Sequence, residues 1–177
     1  MTAREVEADL VRVSRKVSNR EDDFMGVRRA MGDVYVLYEL VDDLLIWNGF
    51  RVIKKDHMIS EEPEPNAAFY ARALKRKGNR EPFVETWPTF DIESVFALLD
   101  RRKIFGTFFF EQFREDEVFV GRIADWSSAK FSILAYDTFG EPQDEEEFNV
   151  DALTRIDFLD EYSKSFDLAA TKVNRLR

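Results

Sequence analysis

Residues 108–123 constrain the fold of this chain more than any other stretch. Three consecutive phenylalanines begin it at residues 108–110, a charged turn follows at residues 114–117, and residues 118–123 contain Gly121. Because aromatic and β-branched residues suit a pleated surface, two such runs joined by a polar turn predict a β-hairpin. A glycine inside a strand is typical of a sharp bend. The stretch therefore predicts a bent antiparallel sheet.

The three phenylalanines cannot all point into one core, because consecutive residues of a strand alternate between its two faces. We predict that Phe109 lies on the opposite face and is covered by a helix or by the other half of the chain. On this interpretation the stretch joins the two halves of the molecule, and its role is structural rather than that of a binding or catalytic surface.

A weaker copy of the same pattern lies near the N-terminus, where residues 10–13 and 24–27 flank an acidic turn. Asp42 follows Gly26 by 16 residues, and Asp137 follows Gly121 by the same 16. We interpret the chain as a tandem repeat with gaps after Asp42, in which the corresponding pairs are Phe24/Phe119, Gly26/Gly121, Asp42/Asp137, Phe50/Phe148 and Ile59/Ile156. The alternative is one continuous α+β domain.

Apolar periodicity predicts five strands and a trailing helix in each half. The first-half strands are predicted at residues 9–17, 24–30, 34–41, 44–53 and 58–60, with Val34, Val36, Tyr38 and Leu40 facing inward. A helix then begins after Asn66 as N-cap and ends at Lys77 with Gly78 as C-cap. The second half is predicted to contain a helix at residues 92–102, strands at 104–113, 118–124, 130–136, 145–150 and 153–158, and a helix from Asp160. The predicted domains are residues 1–78 and 91–177, and residues 79–90 are the predicted linker.

The second half resembles an Sm-like barrel, a strongly bent five-stranded sheet of the small SH3-like type. The resemblance rests on the strand at residues 108–111, the hairpin around residues 114–117, the glycine strand, and the closing strand at residues 154–158. It covers residues 91–160 and, more weakly, residues 8–62, and the ending is also similar to that of uncharacterised bacterial proteins. The fold it implies is mostly β with flanking helices, as tandem five-stranded Sm/SH3-like small barrels, each followed by a helix.

The RNA-binding motifs of the Sm family are not present in this sequence. The corresponding places hold residues 125–130 and 149–151, which lack the paired asparagine and the basic–glycine elements of that family. No RNA-site residue can therefore be carried over from the resemblance.

The charge of the chain is concentrated in its second half. The formal net charge is −9: residues 1–88 contain 15 Lys and Arg against 16 Asp and Glu, whereas residues 89–177 contain 11 against 19. Such acidity disfavours global attraction to nucleic acid or to an anionic membrane. The chain has no cysteine, and it contains no apolar run approaching the roughly 20 residues of a membrane helix. We therefore predict a cytoplasmic protein without a membrane partner.

No catalytic, metal or cofactor site is predicted. His57 is the only histidine, and the sequence contains neither a His-x-x-x-His nor a Glu-x-x-His spacing. We interpret it as a solvated loop residue. The seven glycines are scattered, so no phosphate-binding loop is indicated, and no serine has the context of a nucleophile elbow. The prediction is a non-enzymatic protein-interaction module.

The densest acidic run is the candidate partner-binding surface, together with Trp126. The run comprises Asp144, Glu145, Glu146 and Glu147. One interpretation is a solvated hairpin tip that keeps an edge strand from pairing with other chains. The other is a docking surface for a basic protein, and a concrete version is a bacterial immunity-type protein that masks a toxin. A homo-oligomer is left open.

A basic segment supports the alternative function, RNA binding. It comprises Arg72, Lys75, Arg76, Lys77 and Arg80. Cations at the end of a helix also complement the helix dipole, so the segment has a purely structural interpretation.

Overall fold

The computed structural model describes residues 6–7, 9–78 and 89–176, with side chains to residue 170. Two compact units are distinguished, Met1–Phe90 and Asp91–Arg177. Residues 79–88, which form most of the predicted linker and include Arg80, lie outside the described residues, so the linker stays a prediction.

The first unit contains five antiparallel strands followed by a helix. The strands are β1 (Leu10–Val17), β2 (Arg20–Met31), β3 (Tyr35–Val41), β4 (Trp47–Lys54) and β5 (Met58–Pro63), and the helix is α1 (Ala67–Lys77). Within this unit the strand order is β5-β1-β2-β3-β4. The 3₁₀ turn Lys55–His57 joins β4 to β5. Helix α1 ends as predicted, because Gly78 adopts the left-handed conformation at its C-cap with φ 63°.

The second unit begins with a helix and ends with another. Its elements are α2 (Ile92–Arg101), β6 (Gly106–Phe109), β7 (Val118–Trp126), β8 (Lys130–Tyr136), β9 (Pro142–Asn149), β10 (Arg155–Phe158) and α3 (Glu161–Leu176). The strand order within the unit is β10-β6-β7-β8-β9.

The predicted tandem Sm/SH3-like barrels are wrong. Within each unit the five strands form an open antiparallel sheet, and the helices α1, α2 and α3 accompany these strands. A closed barrel would require β5 to pair with β4 and β10 with β9, and the registers of the described strands contain neither pairing. The physical reason is that alternation and a bending glycine specify a bent sheet, whereas closure depends on pairing between the outermost strands. No single-strand pattern contains that information.

Strand β3 is buried on both faces, although the sequence predicted one inward face. All seven of its residues are buried, whereas Val34, predicted inward, is 49% exposed. On one face of the first unit, α1 contributes Ala67, Ala71 and Leu74 to a cluster with Met25, Val27 and Val41. On the other face Val36 and Tyr38 pack with Val13 and Ile53. Because both faces of β3 are covered, its sequence does not need to alternate between apolar and polar residues.

Strand β6 is shorter than predicted. It ends at Phe109, because the backbone N–H groups of Phe113 and Arg114 donate to the carbonyl of Phe110 at 2.9 and 2.8 Å and form a turn. Phe108 and Phe110 are buried, and Phe109 is half-buried. The guanidinium of Arg155 lies 4.2 Å from the Phe109 ring centroid. A cation on the neighbouring strand β10 thus lies over the Phe109 ring, and the cover by a helix or by the other half stays a prediction.

An aromatic cluster forms the core of the second unit. The rings of Phe110 and Phe148 stack with centroids 4.2 Å apart, and those of Phe96 and Phe131 with centroids 4.7 Å apart. Phe110 also stacks on Phe131 at 6.1 Å. Because Phe96 belongs to α2 and Phe148 to β9, the cluster anchors the helix and the outermost strand to the same core.

The two units repeat one another in backbone register at an offset of 95 residues, the difference between Gly121 and Gly26. Gly26 pairs with Leu40 and Gly121 with Ala135. Each unit has bulges at matching positions, and the 3₁₀ turns Lys55–His57 and Val150–Ala152 also match at this offset. The repeat therefore runs without a gap to these turns, and Phe148 is equivalent to Ile53. The predicted Phe50/Phe148 pair and the predicted gap after Asp42 are wrong.

Candidate functional site

The four acidic residues of the candidate surface lie within strand β9, and we call them the β9 acidic strip: Asp144, Glu145, Glu146 and Glu147. Glu145 pairs in register with Leu134 and Glu147 with Ser132. The turn before β9 is formed by residues 137–141, where the Asp137 carboxylate accepts the N–H groups of Phe139 and Glu141 at 2.9 and 3.0 Å. The interpretation of the run as a hairpin tip is therefore wrong.

The strip presents most of its carboxylates to solvent. Asp144, Glu145 and Glu147 are exposed, and Glu146 is half-buried. Alternation places Glu146 on the same face as Phe148, whose ring is buried in the aromatic cluster. Glu145 and Glu147 share the opposite face. Phe148 thus anchors β9 to the aromatic cluster on one face, while Glu145 and Glu147 place negative charge on the other face.

Strand β9 has an unoccupied edge in the described part of the chain, where it pairs with β8 alone. The N–H of Val150 donates to Ala129 at 2.9 Å, on the β8 side. Because successive residues of an antiparallel strand direct their backbone groups to opposite sides, Glu145 and Glu147 direct theirs away from β8. The site therefore combines outward-facing backbone groups with carboxylates.

Two of the four carboxylates are paired with exposed cations. Glu146 lies 3.3 Å from the guanidinium of Arg114, and Glu147 lies 2.5 Å from the ammonium of Lys130. Exposed pairs of this kind contribute about 0–1 kcal/mol, so a competing cation can replace them at low cost. In the described residues no ion pair involves Asp144 or Glu145. The strip therefore retains a negative potential.

Trp126 is not brought together with the outward face of the strip. It ends β7, is half-buried, and pairs in register with Phe131, which in turn pairs with Phe148. Directly opposed residues share a face, so Trp126 lies on the Phe148 face and two strands away from β9. Glu145 and Glu147 point to the other side of the sheet.

The basic segment lies on α1. Arg72, Lys75, Arg76 and Lys77 are all exposed, and the Lys77 ammonium donates to the carbonyl of Leu44. Three of these cations stand in the last turn, where they complement the helix dipole. Arg80 lies outside the described residues.

His57 is buried, not solvated. It is 8% exposed and forms part of the 3₁₀ turn between β4 and β5. Among the residues that the structure describes, no group of three or more histidine and acidic side chains could hold a metal ion. Over the same ranges, no helix combines the length and apolar character that a membrane crossing requires.

Two buried glutamates, Glu39 and Glu64, were missed by sequence reasoning. Burial raises the pKa of Glu39 to about 7, against the lowering effect of the neighbouring Arg29 guanidinium. Burial also acts on Glu64, but hydrogen bonds from the Asn66 backbone and from Arg12 outweigh it and lower the pKa of Glu64. Neither residue carries a sequence signal that separates it from the exposed glutamates, since burial is set by the packing around it.

Comparisons with known proteins identify no relative: no family model, curated protein or solved structure matches this chain.

Proposed function

We propose that this chain is a non-enzymatic protein-interaction module that binds a basic protein through the β9 acidic strip. The observation that carries the proposal is the combination on one strand of exposed carboxylates and an unoccupied backbone edge. An unoccupied edge can accept an added strand, and alternate side chains of that strand then determine specificity. Lysine or arginine at those positions would meet Glu145 and Glu147.

Electrostatics supports the same partner. The excess of acidic residues in the second half steers a positively charged protein toward it and raises the association rate at low salt. Acidic side chains on an edge also repel other acidic strands, including those of a second copy of this chain. The β9 acidic strip would thus favour extended segments that are basic and disfavour those that are acidic.

The specific role we propose is masking, in the manner of an immunity protein that covers a basic surface of a toxin, in the cytoplasm. The absence of cysteine accords with a reducing compartment, because a fold without disulfides has no need of an oxidising one.

A charge-reversal experiment tests the proposal. The probe is a synthetic extended peptide of alternating lysine and valine, titrated by calorimetry. We expect saturable binding that weakens with added salt, and at least roughly tenfold weaker binding by Glu145→Lys/Glu147→Lys, because two attractive charges become repulsive. The control is Asp33→Lys/Asp56→Lys, which reverses two exposed carboxylates of the first unit and changes the net charge equally.

Two results would contradict the proposal: no saturable binding by the native chain, or equal weakening in the control variant. Equal weakening would mean that overall charge, rather than β9, attracts the peptide.

RNA binding through α1 is the second candidate, and its supporting observation is the exposed cluster of Arg72, Lys75, Arg76 and Lys77. On this candidate, mixed RNA oligonucleotides bind at low salt, and log affinity falls linearly with log salt. Arg72→Glu/Arg76→Glu abolishes that binding, whereas the β9 charge reversal leaves it intact or strengthens it. Absence of low-salt binding would exclude this candidate.

A further inference from the structure

A cavity of about 260 Å³ opens in the first unit beside the end of β3. Strand β3 ends at Val41, which pairs with Met25, whereas β2 continues past this point through Phe24 and Asp23. The resulting recess, which we call the β3-end cavity, has an apolar floor of Met25, Leu40 and Val41, all buried. The half-buried rings of Phe24 and Tyr70 also line it.

Both arginines of the cavity have carboxylate neighbours that are not part of its lining. The Arg12 guanidinium lies 2.9 Å from Glu64, whose side chain is 1% exposed. Arg51 lies 3.8 Å from Asp22, and its guanidinium is 4.8 Å from the Phe24 ring centroid. Each guanidinium therefore has a carboxylate neighbour outside the lining, and Asp22 is shared with Arg15, whose Nε donates to it at 2.6 Å.

The aspartates of the cavity are not compensated in the same way. Asp42 is used by the backbone, because one carboxylate oxygen accepts the N–H groups of Leu44 and Ile46 at 2.9 and 3.2 Å. Asp23 and Asp43 are exposed, and within the described residues they take part in no ion pair. The charge that remains for a ligand is negative.

We propose that the β3-end cavity binds a cationic head group, a guanidinium or an ammonium, carried on a short alkyl chain. Asp23 and Asp43 would bind the head as charge-assisted hydrogen-bond acceptors. The apolar floor and the Tyr70 ring would cover the alkyl chain, and the ring also attracts a nearby cation. An anionic ligand is disfavoured, since it would meet two unpaired carboxylates and two arginines that are already paired.

The second unit provides an internal comparison. At the offset of 95 residues, Asp23 corresponds to Val118, Asp43 to Thr138 and Arg12 to Thr107. The acidic pair is thus specific to the first unit, although the backbone of the strands is shared. The proposal does not rest on the β9 acidic strip, which belongs to the other unit.

The test is titration of the full chain with agmatine, a guanidinium on a four-carbon amine chain, observed by calorimetry and by NMR shifts of the Leu44 and Ile46 amides. We expect saturable binding, weakened about tenfold in Asp23→Asn/Asp43→Asn through the loss of two charge–charge attractions. The control is Asp33→Asn/Asp56→Asn, which removes two exposed carboxylates of the same unit outside the cavity. N-butylurea, which has a similar shape and no charge, is expected not to bind.

Each remaining outcome overturns the proposal. Absence of saturable agmatine binding excludes the site, and binding that is unchanged in Asp23→Asn/Asp43→Asn places it elsewhere. Equal loss in the control variant indicates nonspecific attraction to an acidic protein.

The same head group can come from a free amine or from an arginine side chain of a protein. A Gly-Arg-Gly peptide with blocked ends separates the two sources. Competition with agmatine indicates that a protein side chain can enter, whereas agmatine binding without peptide binding restricts the cavity to free amines.

Discussion

Glu39 is a buried carboxylate whose pKa is raised above its ordinary value. It is 3% exposed and accepts a hydrogen bond from the Arg29 Nε at 2.7 Å. Burial raises its pKa in the folded state from 4.5 to about 7. Between these values the folded chain keeps a proton that the unfolded chain releases, so stability falls as pH rises.

We predict that Glu39→Gln flattens this dependence. From about pH 5 to about pH 8 the native chain should lose about 2 to 3 kcal/mol of unfolding free energy through this group, and the variant should lose little. Urea denaturation across this range measures the difference. A slope of unchanged size in the variant would show that another group is responsible.

Glu64 provides a control of opposite sign. Its pKa is lowered in the folded state by the hydrogen bonds from Asn66 and Arg12, in spite of its burial. A lowered carboxyl pKa contributes stability at neutral pH that is lost as pH falls through the acid range. Glu64→Gln should therefore reduce the acid-side loss of stability and leave the loss between pH 5 and 8 intact.

At the scale of elements, two strand glycines are required by close backbone approach. A Cβ at position 121 would lie 2.3 Å from the Leu134 carbonyl oxygen, and one at position 26 would lie 2.7 Å from that of Glu39. Real side chains do not approach a backbone so closely, so the strands would have to separate. Glycine is thus needed at these two positions because neighbouring strands approach each other closely there.

We predict that Gly121→Ala and Gly26→Ala each destabilise the fold by about 3 kcal/mol, as overpacking in a fixed backbone does. Gly78→Ala is the comparison, because among the described residues no atom beyond its chain neighbours lies within 4 Å of an added Cβ, and only its left-handed φ of 63° is penalised. That penalty is about 1–2 kcal/mol. Chemical denaturation of the three variants gives the order, and a larger loss for Gly78→Ala would contradict the argument.

The N-caps of α1 and α2 differ in their side-chain hydrogen bonds, although only the cap at Asn66 was expected from the sequence. Asp91 accepts the Ser94 N–H at 2.7 Å, whereas Asn66 makes no side-chain capping bond to α1. We predict that Asp91→Ala costs about 1 kcal/mol and that Asn66→Ala costs only a few tenths. Thermal unfolding of the two variants measures this difference. Equal losses would show that capping is not the cause.

The helices and strands could be predicted from the sequence better than their burial and their pairing. Gly78 and Asp91 mark helix ends because their effects are local, and the hairpin around residues 114–117 follows from alternation. The strand predicted at residues 145–150 does contain Glu145 and Glu147. The interpretation of the acidic run as a hairpin tip failed, since a solvated edge and a hairpin tip favour the same charged residues. The burial of both faces of β3 and the open sheet depend on which elements pack and pair at a distance, and no local pattern encodes that.

For the whole molecule, the repeat at an offset of 95 residues is the feature that the sequence indicated most faintly. The equal spacing of Asp42 from Gly26 and of Asp137 from Gly121 was its main signal, and the structure shows why this spacing is kept. The side chain of each aspartate accepts the N–H groups two and four residues ahead, and its backbone N–H donates to the carbonyl four residues ahead. The turns at Asp42 and Asp137 therefore have the same hydrogen-bond pattern.

We therefore predict that Asp42→Ala and Asp137→Ala destabilise the chain by similar amounts, about 1–2 kcal/mol each, because each leaves two backbone donors without their carboxylate acceptor. The neighbouring Asp43→Ala is the control: it removes an exposed aspartate that accepts neither bond, and it should change the unfolding free energy by less than about 0.5 kcal/mol. Because the two turns belong to different units, their effects should also be additive in the double variant. A large loss at one aspartate and none at the other would mean that the units share a backbone pattern without sharing its energetic basis, and the equivalence would then be one of shape alone.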